Sequence, residues 1–145
     1  MSGYKGHLSG GIFLGYGLVY LLSYKMKIIC FYELTDLIWY TLGLLFGALL
    51  PDIDLPQSFL GRFIAPISAM IYKTVGHRTF THSIVFIFLV SLILSLFCTR
   101  HFVIGTVIGM ISHIILDLLC MGYGVAFLYP FYKKRIMLGR SHKHK

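Results

Sequence analysis

Leu49-Leu50-Pro51-Asp52-Ile53-Asp54 and Gly76-His77-Arg78-Thr79-Phe80-Thr81-His82-Ser83 bracket the stretch on which the reading of this chain turns. The first closes one apolar run and the second opens the next. Two carboxylates and two imidazoles therefore stand at the ends of hydrophobic segments. Ionisable groups in such places are costly to desolvate unless they are paired or metal-bound, which makes them functional-site candidates by default.

The surrounding chain sets their solvent. Its 145 residues are 57% hydrophobic and only 12% charged, with a mean hydropathy of +0.80. That is too apolar for an ordinary soluble domain. The expected fold is an all-α integral membrane protein, a single membrane domain over 1–145 with about four transmembrane helices at 8–24, 37–50, 83–98 and 102–121. Pro51 ends the second run. The 55–75 segment, interrupted by Pro56, Arg62, Pro66 and Lys73, is expected to form an interfacial or re-entrant amphipathic helix. A basic tail covers 131–145. The first run starts like a signal peptide but lacks the small-residue cleavage pattern, so it reads as a retained helix.

The net charge of +8 would suggest nucleic acid in a soluble protein, but here most of it lies in short segments beside apolar runs. Orientation and anionic lipid headgroups account for it, which makes membrane lipid the expected partner and excludes nucleic acid. With four spans, ten of the thirteen Lys and Arg residues share one side, leaving Lys25, Lys27 and Arg100 opposite. By the positive-inside rule the protein is a multi-pass protein of the plasma (inner) membrane with both termini cytoplasmic. Cys30, Cys98 and Cys120 form no CxxC pair and give no zinc signature. A Cys30–Cys98 disulfide on the outer side is left open, as is the oligomeric state. Thr35 or Asp36 is expected to cap the second helix.

The same topology carries His7, Asp52, Asp54, His77, His82, His113 and Asp117 to one end of the bundle. Small residues spaced by four, at Gly11 and Gly15, Gly43 and Gly47, Ser91 and Ser95, and Gly105 and Gly109, allow helices to approach closely in lipid. Continued by fours, the first stripe takes in His7 and the last takes in His113 and Asp117, so these side chains should face the interior.

His113 and Asp117, one turn apart, can meet one ion, or the carboxylate can orient the imidazole. Asp52 and Asp54 can converge from the irregular turn after Pro51. Mixed imidazole and carboxylate ligation favours Zn or Mn over Mg, and the set has room for one or two divalent ions. The chemistry such a site supports is hydrolysis. Arg78 offers a fork of donors for a phosphate or carboxylate, or simply an interfacial positive charge. Thr81 and Ser83 read as caps. A single histidine is more often a hydrogen-bonded interfacial residue than a ligand, and His101, His142 and His144 stay in that category. Asp52 alone could cap the following segment, and Asp117 alone could pair with Lys133 or Arg135.

The order of His7, Leu50-Pro51-Asp52-Ile53-Asp54, His77-Arg78-Thr79-Phe80-Thr81-His82-Ser83 and His113-Ile114-Ile115-Leu116-Asp117 resembles the YdjM-like family of inner-membrane proteins, for which metal-dependent hydrolysis is inferred. The likeness continues through Gly122-Tyr123-Gly124-Val125 and Tyr129-Pro130-Phe131. It implies a multi-pass membrane protein whose metal ligands are His7, Asp52, Asp54, His77, His82, His113 and Asp117. Cys120 stands where a threonine is expected.

Two functions follow as expectations. One is a membrane-embedded metal-dependent hydrolase acting on a phosphoester or ester of a lipid or lipid-linked substrate, with Asp54 and His82 as catalytic groups and Arg78 holding the anion. The other is a non-enzymatic metal-binding or ion-transport protein built on the same residues. Against transport, the outer side offers an ion path only Glu33, Asp36 and His101.

Overall fold

The computed structural model describes residues 4–24, 31–120 and 124–137. Cys30, and with it any Cys30–Cys98 bond, lies outside the described residues, as does the basic tail beyond residue 137. Among the described residues six α-helices follow in order: α1 Tyr4–Tyr24, α2 Leu34–Leu49, α3 Phe59–Phe63, α4 Ala65–Thr74, α5 Ile84–Ser95 and α6 Arg100–Cys120. Short 3-10 turns occupy Leu50–Asp54 and Phe80–His82. Among the described residues the secondary structure is otherwise irregular, apart from one isolated bridge between Val125 and Ile136.

Among the described residues two helical stretches are long and apolar enough to cross a membrane, Leu34–Asp54 with 21 residues and Arg100–Leu119 with 20. α1 matches them in length, at 21 residues, but Lys5, His7, Ser9 and several glycines dilute its apolar character. α5 is uniformly apolar but has only 12 residues, roughly 18 Å of helix against a hydrocarbon core of about 30 Å. The segment expected as one amphipathic helix is two short ones. Ser58 caps α3 by accepting from Gly61 N at 2.9 Å, and the break at Ile64 before Pro66 separates α3 from α4.

α2 and α6 make the most extensive contact, and α1 packs across both. The glycine stripes are the reason. A Cβ on Gly43 or Gly47 would run into the carbonyl oxygens of Phe102 and Thr106, and a Cβ on Gly105 or Gly109 into those of Tyr40 and Leu44. The two backbones are thus in contact through reciprocal glycines. Gly11 and Gly15 of α1 lie against Ala48, Ser112 and Leu44. The Ser91 and Ser95 stripe does not pack in this way: both hydroxyls bond back to their own helix, at Phe88 O and Leu92 O, and only Ile87 of α5 is buried.

Two apolar clusters hold the bundle. Val19, Tyr40, Leu44 and Ile108 join α1, α2 and α6, with the Tyr40 hydroxyl donating to Gly15 O at 2.9 Å. Leu50, Ile87, Met110, Ile114 and Val125 join the end of α2 to α5, α6 and the segment after α6. Phe13, Leu42, Phe88, Leu92, Phe97 and Leu119 point outward. So much outward apolar surface is anomalous in water and suits a hydrocarbon solvent.

At the far end Asp36 accepts from Tyr32 N at 3.0 Å and from Glu33 N at 3.4 Å. The N-cap position is Glu33, with Asp36 closing the capping box from inside α2. His101 meets Asp36 there at 3.1 Å.

Candidate metal centre

Pro51 ends α2 because it lacks the amide donor and crowds the preceding turn. The chain tightens into the 3-10 turn, which carries Asp52 and Asp54 beside the C-terminal half of α6. α1 approaches the same place through Gly11, which brings His7 into the bundle; the helix begins before His7 and includes it. The connection after α4 reaches it through Gly76 and Arg78, both in the left-handed region, at φ of 79° and 62°. A non-glycine residue there carries strain of about 1–3 kcal/mol and persists only where its surroundings over-determine it. The Arg78 surroundings do so: its N–H donates to Asp54 Oδ2 at 3.3 Å and its carbonyl accepts from Ala126 N at 3.0 Å.

All seven residues expected from the sequence are brought together. His7, Asp54, His82, His113 and Asp117 are buried, while the side chains of Asp52 and His77 keep 20% and 23% exposure. His82 Nε2 lies 3.3 Å from Asp117 Oδ2 and 3.8 Å from Asp52 Oδ1. His113 Nε2 lies 3.4 Å from Asp52 Oδ1 and 3.8 Å from Asp117 Oδ2. His7 Nε2 lies 3.7 Å from Asp117 Oδ1, its ring stacked on His113. Three overlapping sets each offer ligand atoms within 4.8 Å of one another: His7 with Asp52 and His113, Asp52 with His77 and His82, and His82 with His113 and Asp117.

Whether these residues fit a metal is decided by their unused atoms. His82 Nε2 and His113 Nε2 are buried and lack a hydrogen-bond partner among the described residues, and Asp117 Oδ2 is buried beside them with the Arg78 guanidinium at 3.0 Å. Such groups are expensive to bury unless something else satisfies them. The opposite nitrogen of His113 is occupied: Nδ1 donates to Ala48 O at 2.6 Å, leaving the Nε2 lone pair turned toward the cluster. This is the usual outer arrangement of a metal-binding imidazole. Complete burial also holds the His82 pKa below its ordinary value and so favours the neutral, ligating form. The donor set fits a divalent ion.

Two residues take positions different from their simplest sequence reading. Arg78 turns its guanidinium inward, with Nε 3.0 Å from Asp117 Oδ2 and Nη2 donating to Asp117 Oδ1 at 3.3 Å. Asp54 faces away from the unused atoms: its oxygens take His77 Nδ1 at 2.7 Å, Thr81 Oγ1 at 2.6 Å and Arg78 N. Ser83 caps α5, accepting from Phe86 N at 3.2 Å, but Thr81 is no cap. The segment 124–137 was not expected at the site. Besides Ala126, Phe127 O accepts from Ile84 N at 3.0 Å and Arg135 Nη2 donates to His77 O at 3.2 Å. Its signals in the sequence were the resemblance through Gly124-Val125 and Tyr129-Pro130-Phe131 and the pairing open to Asp117 with Lys133 or Arg135.

A helical bundle with an apolar exterior and buried histidines and aspartates gathered at one end defines a class, a membrane protein with a candidate metal centre. The chain belongs to the YdjM inner membrane protein family, whose sequence profile matches residues 1–145. It is 40% identical over 85 residues to the uncharacterized protein YvsG of Bacillus subtilis, covering 58% of this chain and 52% of that protein. It is 43% identical over 88 residues to the inner membrane protein YdjM of Escherichia coli, covering 57% and 44% respectively. The match to the Shigella flexneri protein of the same name has the same extent. The matched region thus spans about half the length of these curated relatives. No solved structure matches the chain.

Proposed function

We propose that the chain is a membrane-embedded metal-dependent hydrolase acting at the cytoplasmic face on a phosphoester or ester of a lipid or lipid-linked substrate. One observation carries the reading, the convergence on Asp117 Oδ2 of His82 Nε2 and His113 Nε2, two buried nitrogens without hydrogen-bond partners among the described residues. The four-span arrangement with cytoplasmic termini belongs to the same proposal, supported by the Lys and Arg distribution and by the length of α1.

Imidazole and carboxylate donors favour Zn or Mn over Mg. A divalent ion supplies Lewis acidity to hydrolysis. His82, His113 and Asp117 would hold it from the buried side. Asp52 and His77, the partly exposed members, mark the side from which water and an ester enter. Asp54, expected as a catalytic group, has its oxygens engaged by His77, Thr81 and Arg78, so in this scheme Asp52 would take the proton at a carboxylate oxygen in its place. Arg78 neutralises Asp117 in this scheme, since its guanidinium is already engaged, and the anion-holding role expected of it is dropped.

The test is elemental analysis of the detergent-purified protein beside His82→Ala and Asp117→Ala. A lipid extract is then incubated with the zinc- or manganese-loaded parent and with Asp52→Ala. Stoichiometric metal lost in the first two variants, with lipid turnover lost in the third, is expected. A folded parent that takes up neither metal overturns the proposal.

A further inference from the structure

We infer that Asp54 and Thr81 form a hydrogen-bond relay that fixes the ring proton of His77 and His82 on Nδ1, leaving the Nε2 lone pair of each ring available to an ion. The purpose of the relay rests on the metal-binding reading above, but its geometry does not.

Asp54 is fully buried at the end of the turn that follows α2. Its Oδ2 accepts the Arg78 amide at 3.3 Å, which marks that oxygen as an acceptor, and lies 2.6 Å from Thr81 Oγ1. An ionised carboxylate has only lone pairs to offer. The Thr81 hydroxyl must therefore donate its single proton to Asp54. Toward His82 Nδ1, 3.0 Å away, that hydroxyl has only lone pairs left. The proton between them then belongs to His82 Nδ1, and Nε2 is bare.

The other oxygen of the same carboxylate reaches His77 directly, with Nδ1 2.7 Å from Oδ1. One side chain thus orients two imidazoles, one by contact and one through a hydroxyl. His113 arrives at the same tautomer by a different route, through the backbone carbonyl of Ala48. Three histidines from two parts of the chain, the connection before α5 and α6 itself, are therefore set alike. This accounts for the complete burial of Asp54 and Thr81 without requiring Asp54 to touch an ion.

Asp54 and Thr81 are positioning residues, so the experiment reads the ring protons directly. The full chain is labelled at histidine nitrogen, purified metal-free in detergent, and its ring-nitrogen NMR signals are recorded for the parent, Thr81→Val and Thr81→Ser. Zinc affinity is measured on the same samples. Protonation of His77 and His82 at Nδ1 is expected in the parent. Thr81→Val, which keeps the volume and removes the acceptor, should release His82 from that tautomer and weaken zinc binding by about 10–100-fold. Thr81→Ser should restore both. The parent spectrum tests the relay even if Thr81→Val does not fold. A parent His82 protonated at Nε2 overturns the relay, and so does unchanged zinc affinity in Thr81→Val or failure of Thr81→Ser to rescue. A parent that binds no zinc removes the function proposed above while the ring protons still decide the relay.

Discussion

The imidazole of His7 lies stacked on that of His113, with ring centroids 3.9 Å apart and planes 12° from parallel. The first helix is thereby tied to the last at the polar end of the bundle. The two roles of His7, a ring face for His113 and a nitrogen for the cluster, are separable. His7→Phe keeps the face and should fold near parent stability while zinc affinity falls by about tenfold or more. His7→Ala should lose affinity and also about 1 kcal/mol of stability from the lost stacking. Thermal unfolding and zinc titration of the two variants check this.

Arg78 and Asp117 form a pair with side-chain exposures of 9% and 0%. Removing one member leaves the other charge buried alone, a loss of about 3–5 kcal/mol. Arg78→Ala should show it in denaturation. Arg78→Gly should recover roughly 1 kcal/mol of that, because glycine adopts the left-handed φ of 62° without the Cβ penalty.

Gly47→Ala and Gly105→Ala each drive a Cβ into a carbonyl of the facing helix. Since backbone cannot move aside cheaply, each should destabilise by about 1–3 kcal/mol or more. Gly17→Ala, where nothing lies within 4 Å, should instead stabilise α1 by about 0.5–1 kcal/mol. Equal melting temperatures for all three would contradict the interlocked packing.

Loading with zinc at roughly a hundredfold excess over its dissociation constant should add about 2.7 kcal/mol to stability. Adding a strong chelator should lower the melting temperature by about 5–10 °C, reversibly on readdition. An unchanged melting curve would mean that no ion is bound to the folded state.

The convergence of the seven polar residues was legible because it followed from topology and from spacing along helices. The faces through which α2 and α6 meet were legible from the spacing of their small residues, but that these two helices would meet each other was not. The same rule misled at Ser91 and Ser95, whose hydroxyls satisfy themselves within α5 and need no facing helix. Arg78 was also out of reach, because its direction depends on a left-handed backbone residue held by Asp54 and Ala126. Thr81 looked like a cap because, with Ser83, it stands where a helix opens. What separates them is the carboxylate from a turn far away in the chain, a tertiary fact that local pattern does not encode.

The bonds that join Ala126 to Arg78, and Phe127 to Ile84 where the histidine-bearing connection enters α5, run main chain to main chain, and the bond from Arg135 ends on the His77 carbonyl. They bear on the order in which the molecule can assemble. His7 leaves the ribosome first, yet the loop that carries His77 and His82 gains these three supports only once residues 126 to 135 have been made. Closure of the polar end is therefore a late event in biosynthesis, coupled to completion of this segment.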